Sequence, residues 1–288
     1  MKRFRLTLAI LAILGIAGLS MFSCGGDTEN SGNGDTTQMV CKTDMPLNIS
    51  IYLDLSDRLT REMTPSQMER DTAIINHIVD KFLENVLEQK IIKSKDNFQI
   101  FFYPEPNNSS VATIAKNLSV DFNKIKAPEK NKEYKKMKKD VNDGLSVIYN
   151  ETIQAANWVG CDIWGFFSNK MVDKYCIREG YRNIIIILTD GYFFHKDNKL
   201  KEGNAYSYIL PQTLEVENSS LIVKRSGLED LEVMVLEVNP YVSKDLPVLE
   251  EKIKTWFTAM GVKPENFVLT GPSMPAHTEH VIDNFLGE

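Results

Sequence analysis

Two short runs of oxygen-bearing side chains stand where chemistry could be done. Asp54-Leu55-Ser56 follows the apolar run Ile49-Ser50-Ile51-Tyr52-Leu53, and Thr189-Asp190-Gly191 follows Ile184-Ile185-Ile186-Ile187-Leu188. Apolar, β-branched runs that end in turn residues read as strands of a parallel sheet covered on both faces. In an open α/β sheet the ligand edge lies outside the carboxyl ends of the strands. Asp54 and Asp190 are therefore expected on one edge, close in space though far apart in sequence. Carboxylates and hydroxyls placed there can accept a cation or a guanidinium, or can simply cap their own turns. His195 follows the second loop and is the one acid–base candidate within reach. His277 and His280 lie three apart and share a helix face; with no third ligand nearby they read as an ordinary polar face. Gly-x-Ser-x-Gly, Walker A and dinucleotide fingerprints are absent from the sequence.

The elements that must position these residues alternate along the chain. A strand over 48–54 leads through a loop to a long helix, with Thr64 as the expected N-cap, Pro65 at its first position and Gln67 at the capping-box place. Ile74, Ile75, Ile78, Val79, Phe82, Leu83, Val86 and Leu87 give that helix its core stripe. Phe98–Tyr103 is the next strand, stopped by Pro104 and Pro106, and 111–122 is expected to hold a short edge strand. The lysine-rich stretch 124–139 reads as a solvated helix face or loop. A helix over 145–158 precedes an aromatic-rich stretch, 160–180, that either extends the helical layer or loops over the site. Strands at 184–188, 231–238 and 267–269 and helices at 245–260 and 276–286 complete the alternation. Segment 192–228 is too long for an ordinary connection and reads as an insertion at the ligand edge. The pattern predicts an α/β fold, a three-layer α/β/α sandwich around a mainly parallel, doubly wound sheet.

Asp54, Ser56, Asp190 and Gly191, so placed, resemble the metal-ion-dependent adhesion site of the von Willebrand factor A (vWA) domain family. The resemblance covers roughly 46–285. That family uses Asp-x-Ser-x-Ser after the first strand, a Thr in a middle loop and an Asp, often within Thr-Asp-Gly, after a later strand. It implies a vWA/Rossmann-like fold, a protein or glycan partner and an oxygen shell for Mg²⁺, Mn²⁺ or Ca²⁺. Asp54, Ser56 and Asp190 are the candidate metal ligands. Asp57 is a further carboxylate in the first loop. For the middle loop, Ser146 or Asp143 could serve, and Thr152 sits too deep in its helix. The fifth position of the first motif departs from the family: it is Arg58, a fixed cation with no acceptor. Two readings stay open, a bound metal, or Arg58 in the metal's place as an ion pair to Asp54 or Asp190.

The amino terminus carries a separate message. Lys2, Arg3 and Arg5 precede an apolar stretch, Leu6–Met21, and residues 1–23 read as an export signal. Met21-Phe22-Ser23-Cys24-Gly25 resembles a bacterial lipoprotein signal, which implies acylation at Cys24 and stable anchoring by several acyl chains. Residues 24–45, rich in Gly, Asn and Asp, read as a flexible tether to a vWA-like domain at 46–288. Gly25 after the cysteine implies the outer membrane, on either its periplasmic or its outer face. Loss of the signal removes three cations and no acid, taking the formal charge from -6 to -9. Such acidity disfavours nucleic acid as a partner. Of Cys24, Cys41, Cys161 and Cys176, the last two are the candidate disulfide in an oxidising compartment, and three free thiols are the alternative.

The expected function is recognition, by a lipid-anchored, non-enzymatic envelope protein. Two rivals remain: a metal-dependent envelope hydrolase with Asp54 and Asp190 as ligands and His195 as base, and a structural subunit whose site has decayed.

Overall fold

The computed structural model describes residues 45–106, 108–156, 158, 160–193, 222–223, 225–241 and 246–287. The sheet is built from β1 (Leu47–Leu53), β2 (Asn97–Phe101), β3 (Val120–Asp121), β4 (Arg182–Leu188), β5 (Glu232–Leu236) and β6 (Phe267–Leu269). Their spatial order is β3-β2-β1-β4-β5-β6, parallel throughout except for β3 at the edge. The helices are α1 (Gln67–Glu88), α2 (Ser109–Asn117), α3 (Ala127–Ala155), α4 (Ile163–Ser168), α5 (Met171–Cys176), α6 (Leu246–Ala259) and α7 (Pro275–Gly287).

The two-residue period of the strands sorts their side chains into two cores. Ile49, Ile51, Leu53, Ile184, Ile186, Leu188, Met234 and Leu236 face α1, α2, α3 and α7. Tyr52, Ile185, Ile187, Val233 and Val235 face α4, α5 and α6. Every residue of β1 and β5 is buried. That explains why these strands read as unbroken apolar runs rather than as alternations. The fold is thus the vWA/Rossmann-like α/β/α sandwich, with β1 and β4 paired over seven residues at its centre.

Several element boundaries differ from expectation. α1 starts after Ser66, not Thr64: the Ser66 side chain takes the Glu69 N–H while Glu69 returns to the Ser66 N–H, a complete capping box that sets the first turn. The lysine-rich stretch and the helix expected after Leu145 are one 29-residue helix, α3. Three of its lysines form ion pairs, Lys136 with Glu133 and Asp140, Lys138 with Asp80 and Lys139 with Asp143. Lys130 is buried and donates to the Ser94 carbonyl at 2.6 Å. The stretch after Gly160 extends the helical layer as α4 and α5, whose aromatic residues Phe166 and Phe167 are fully buried. Most of the expected 192–228 insertion, the tether and the amino-terminal signal lie outside the described residues. Among the described residues no helix is long and apolar enough to cross a membrane.

Candidate functional site at the carboxyl edge of the sheet

β1 and β4 run in register from Leu47↔Arg182 to Leu53↔Leu188, so the residues that follow them emerge side by side. Asp54 continues the ladder with an N–H to the Leu188 carbonyl at 3.0 Å. Its Oδ2 accepts the Thr189 hydroxyl at 2.8 Å, and its Oδ1 accepts the Ser56 N–H at 2.9 Å. Ser56 then caps a short 3₁₀ turn, Asp57–Thr60, by accepting the Arg58 N–H. Asp190 closes its own turn, with Oδ1 accepting the Tyr192 N–H at 3.2 Å. Gly191 follows at φ 96°, and a Cβ there would stand 2.9 Å from Leu249 and 3.0 Å from Val238. Only glycine serves both that backbone and that spacing. Asp54, Ser56 and Asp190 therefore stand together at the carboxyl edge of the sheet.

Arg58 is where the surprise lies. Its guanidinium is 1% exposed, and its Nε donates to the Asp54 carbonyl at 3.0 Å and stands 3.8 Å from Asp54 Oδ2. Its principal partner is Asp71 of α1, which it grips with Nη2 at 2.5 Å and Nη1 at 3.4 Å. Asp71 also accepts from the Tyr149 hydroxyl of α3 at 2.9 Å and from Gln67 Nε2 at 2.8 Å. Gln67 reaches on to Glu237, which Arg70 holds through Nε at 2.6 Å and Nη2 at 2.9 Å. Burial works against the charge of Arg58, but Asp71 and Asp54 more than offset it and its pKa stands above the ordinary arginine value. Burial, then Asp71, pushes the Tyr149 phenol well up, so it acts as a hydrogen-bond donor. Burial, then the charge of Asp54, pushes the Asp190 carboxyl up to about 7.

Sequence reasoning missed Asp71, Tyr149 and Glu237, placed Gln67 only at the start of its helix, and named Thr189 only as part of the Thr189-Asp190-Gly191 loop. Asp71 had left a signal. It stands three and four residues before Ile74 and Ile75, on the buried stripe of α1. A charge in such a stripe must be paired. Ser146 does not join the site. It lies exposed on the outer face of α3, where its hydroxyl accepts from Asn150, and Tyr149 is the residue of that helix that turns inward. His195 lies outside the described residues. His277 and His280 are exposed on α7 and His280 pairs with Asn284.

The expected Cys161–Cys176 disulfide is corrected: both are buried free thiols. Cys161 lies under the site, with Sγ 3.7 Å from Thr189 Oγ1 and 3.5 Å from the Tyr192 carbonyl. Cys176 ends α5 beneath the start of β1, where its carbonyl accepts from Asn48. Those levels differ by several strand residues at about 3.3 Å each. A disulfide needs Cα atoms within about 7 Å.

Above the buried layer the edge presents a polar aromatic surface. Arg61 donates to the carbonyls of Asn239 and Pro240 and lies 4.5 Å over the ring of Tyr241. The Tyr192 hydroxyl accepts the Tyr241 N–H at 3.0 Å, and the two rings sit 5.7 Å apart. The Tyr241 hydroxyl reaches Asp57 Oδ2 at 3.5 Å.

No family model matches the chain, and no curated protein matches it. Solved structures do. An aerotolerance-related membrane protein of Bacteroides fragilis, carrying multiple mutations to serine, is 13% identical with a TM-score of 0.41, covering 84% of this chain and 98% of its own. BatB of Bacteroides thetaiotaomicron, described as a conserved hypothetical protein, is 14% identical at 0.40, covering 84% and 100%. In its open conformation the pilus adhesin SpaC of Lactobacillus rhamnosus GG is 14% identical at 0.43, covering 84% of this chain and 30% of that one. This chain also spans about half of the proximal thread matrix protein 1 of the mussel byssus, with 48% of that chain covered. At these identities and TM-scores the likenesses assign neither family nor role, and the vWA-like reading of the fold rests on this chain's own strand order and register.

Proposed function

We propose that this chain is a recognition module, not an enzyme, that engages a protein or glycan partner at the carboxyl edge of its sheet without a resident metal. The observation that carries this reading is the layering of that edge. A guanidinium is buried beside Asp54, and above it the half-buried Arg61 and Tyr192 carry the exposed Tyr241. Arginine and tyrosine are the residues most enriched at binding hot spots, where a rigid ring offers area and a polar tip. Tyr241 is 49% exposed.

A divalent cation fits the donor set poorly. Both Asp54 oxygens already hold protein donors, and Arg58 supplies a fixed positive charge 3.8 Å from one of them. Tyr149, not a threonine, approaches from α3, and it donates to Asp71. The same reading has a lipid anchor at Cys24, supported by the order of charged, apolar and small residues at the amino terminus, and an outer-membrane location, supported by Gly25 after the cysteine.

Two measurements test the reading. Thermal melts of the full chain with Mg²⁺, Mn²⁺, Ca²⁺ or chelator are expected to coincide, because a ligand of the native state alone would raise the melting point. A metal-dependent rise that vanishes in Asp54→Ala would restore the metal reading. Binding to a glycan array, and photo-crosslinking from the exposed position 62 in intact cells, are expected to be lost in Arg61→Ala and Tyr241→Ala. A partner held equally well by both variants would move the binding surface elsewhere.

A further inference from the structure

A second surface lies beside the first, between the amino-terminal turns of α1 and α7. A cavity of about 250 Å³ opens there. Pro65, Ala73, Ile74 and Pro275 are among its walls, and Arg70 and Glu237 close its floor. That volume is below the roughly 300–1,000 Å³ of sites that enclose a drug-sized molecule, and suits a single side chain. Met274, between the lining residues Ser273 and Pro275, is 76% exposed, the highest value among the exposed large apolar residues described. The charge of the opening is one-sided. The lone cation, Arg70, is consumed by Glu237 and by the Ser273 carbonyl at 2.9 Å. Glu69 and Glu279 stand exposed at the mouth with no cation against them in the lining. Glu69 holds the α1 capping box through Oε2, a role that a neutral glutamine can also fill.

We infer that this cavity receives a lysine side chain from a protein partner, its methylenes along the Pro65–Ile74–Pro275 wall and its ammonium between Glu69 and Glu279. Lysine buries its stem along apolar surface while its head stays at the water boundary beside carboxylates. A carboxylate or phosphate would meet two like charges at the mouth. An uncharged alkyl group would fill the walls but leave both acids without a counter-ion. This site is separate from the Arg61–Tyr241 surface, and its occupancy does not depend on the function proposed there.

The test uses the full chain with ¹³C-labelled methionine methyls, with Met274 assigned by Met274→Leu. The probes are N-acetyl-lysine methylamide and, with the same stem but no charge, N-acetyl-norleucine methylamide. The lysine probe is expected to move the Met274 methyl resonance saturably. Glu69→Gln with Glu279→Gln is expected to weaken it by roughly three- to ten-fold, the range for two exposed ion pairs. High salt should weaken it further. Circular dichroism and a melt establish that the double variant is folded. Absence of a saturable shift overturns the inference. So does equal binding of the two probes, or lysine binding that the double glutamine variant leaves intact.

Discussion

Arg58 and Asp71 are each other's solvent. Both are almost wholly buried, and together they are satisfied by charge and by hydrogen bonds from the first loop, α1 and α3. Removing one member of such a pair leaves an uncompensated charge, which typically costs about 3–5 kcal/mol. Asp71→Ala is therefore expected to lose that amount in urea unfolding. Pairing Arg58→Ser with Asp71→Asn should recover a good part of it, because no lone charge is then left. Asp190 makes a different statement. Burial first, and Asp54 second, hold its carboxyl at about 7, against about 3.9 for a free aspartate. Between those values the folded state keeps a proton that the unfolded chain has released, so stability falls as pH rises through the window and levels off above it. Urea midpoints at pH 5 and pH 8 should show the native chain weaker at pH 8. Asp190→Asn should flatten that slope, and an unchanged slope would mean the titrating group is another.

At the scale of elements, what was legible was set by how local the signal is. β1, β4 and β5 could be read from their apolar runs because both faces are covered, and that burial leaves no polar alternation to find. α1 was legible in its core stripe but not in its first turn. Thr64 and Ser66 are both good caps by composition, and only the reciprocal contact with Glu69 separates them. Ser66→Ala is expected to cost about 1 kcal/mol, measured by the shift of the urea midpoint, whereas Thr64→Ala should be close to silent. α3 was legible in part. Its first half reads as a solvated helix face or loop because lysines outnumber apolar residues, and it is the helix face; its continuity with the helix after Leu145 was not read. Met137, Val141 and Leu145 nonetheless continue a buried stripe across the join. The paired site aspartates followed from strand ends alone. Asp71, Tyr149 and Glu237 did not, because each comes from a different element and meets the others only after α1 and α3 have docked on the sheet.

At the scale of the whole molecule, the folded residues and the amino-terminal segment pose separate questions. If Cys24 carries the lipid, Cys24→Ala should release the chain from the membrane fraction of cells and abolish incorporation of an alkyne-tagged palmitate. Membrane retention with no palmitate incorporated even by the unchanged chain would make the apolar stretch before it an uncleaved anchor. The two internal sulfurs carry a further consequence. Burial drives the pKa of both Cys161 and Cys176 up, with Asp54 and Asp190 adding to the first. A thiol that is both shielded and protonated does not react. Each thus keeps time for its own end of the sheet. With Cys24 and Cys41 changed to serine, the rate at which a thiol reagent marks Cys161 would count openings of the carboxyl edge. The rate at Cys176 would count openings of the opposite end. If the two clocks disagree, the sheet breathes from one end.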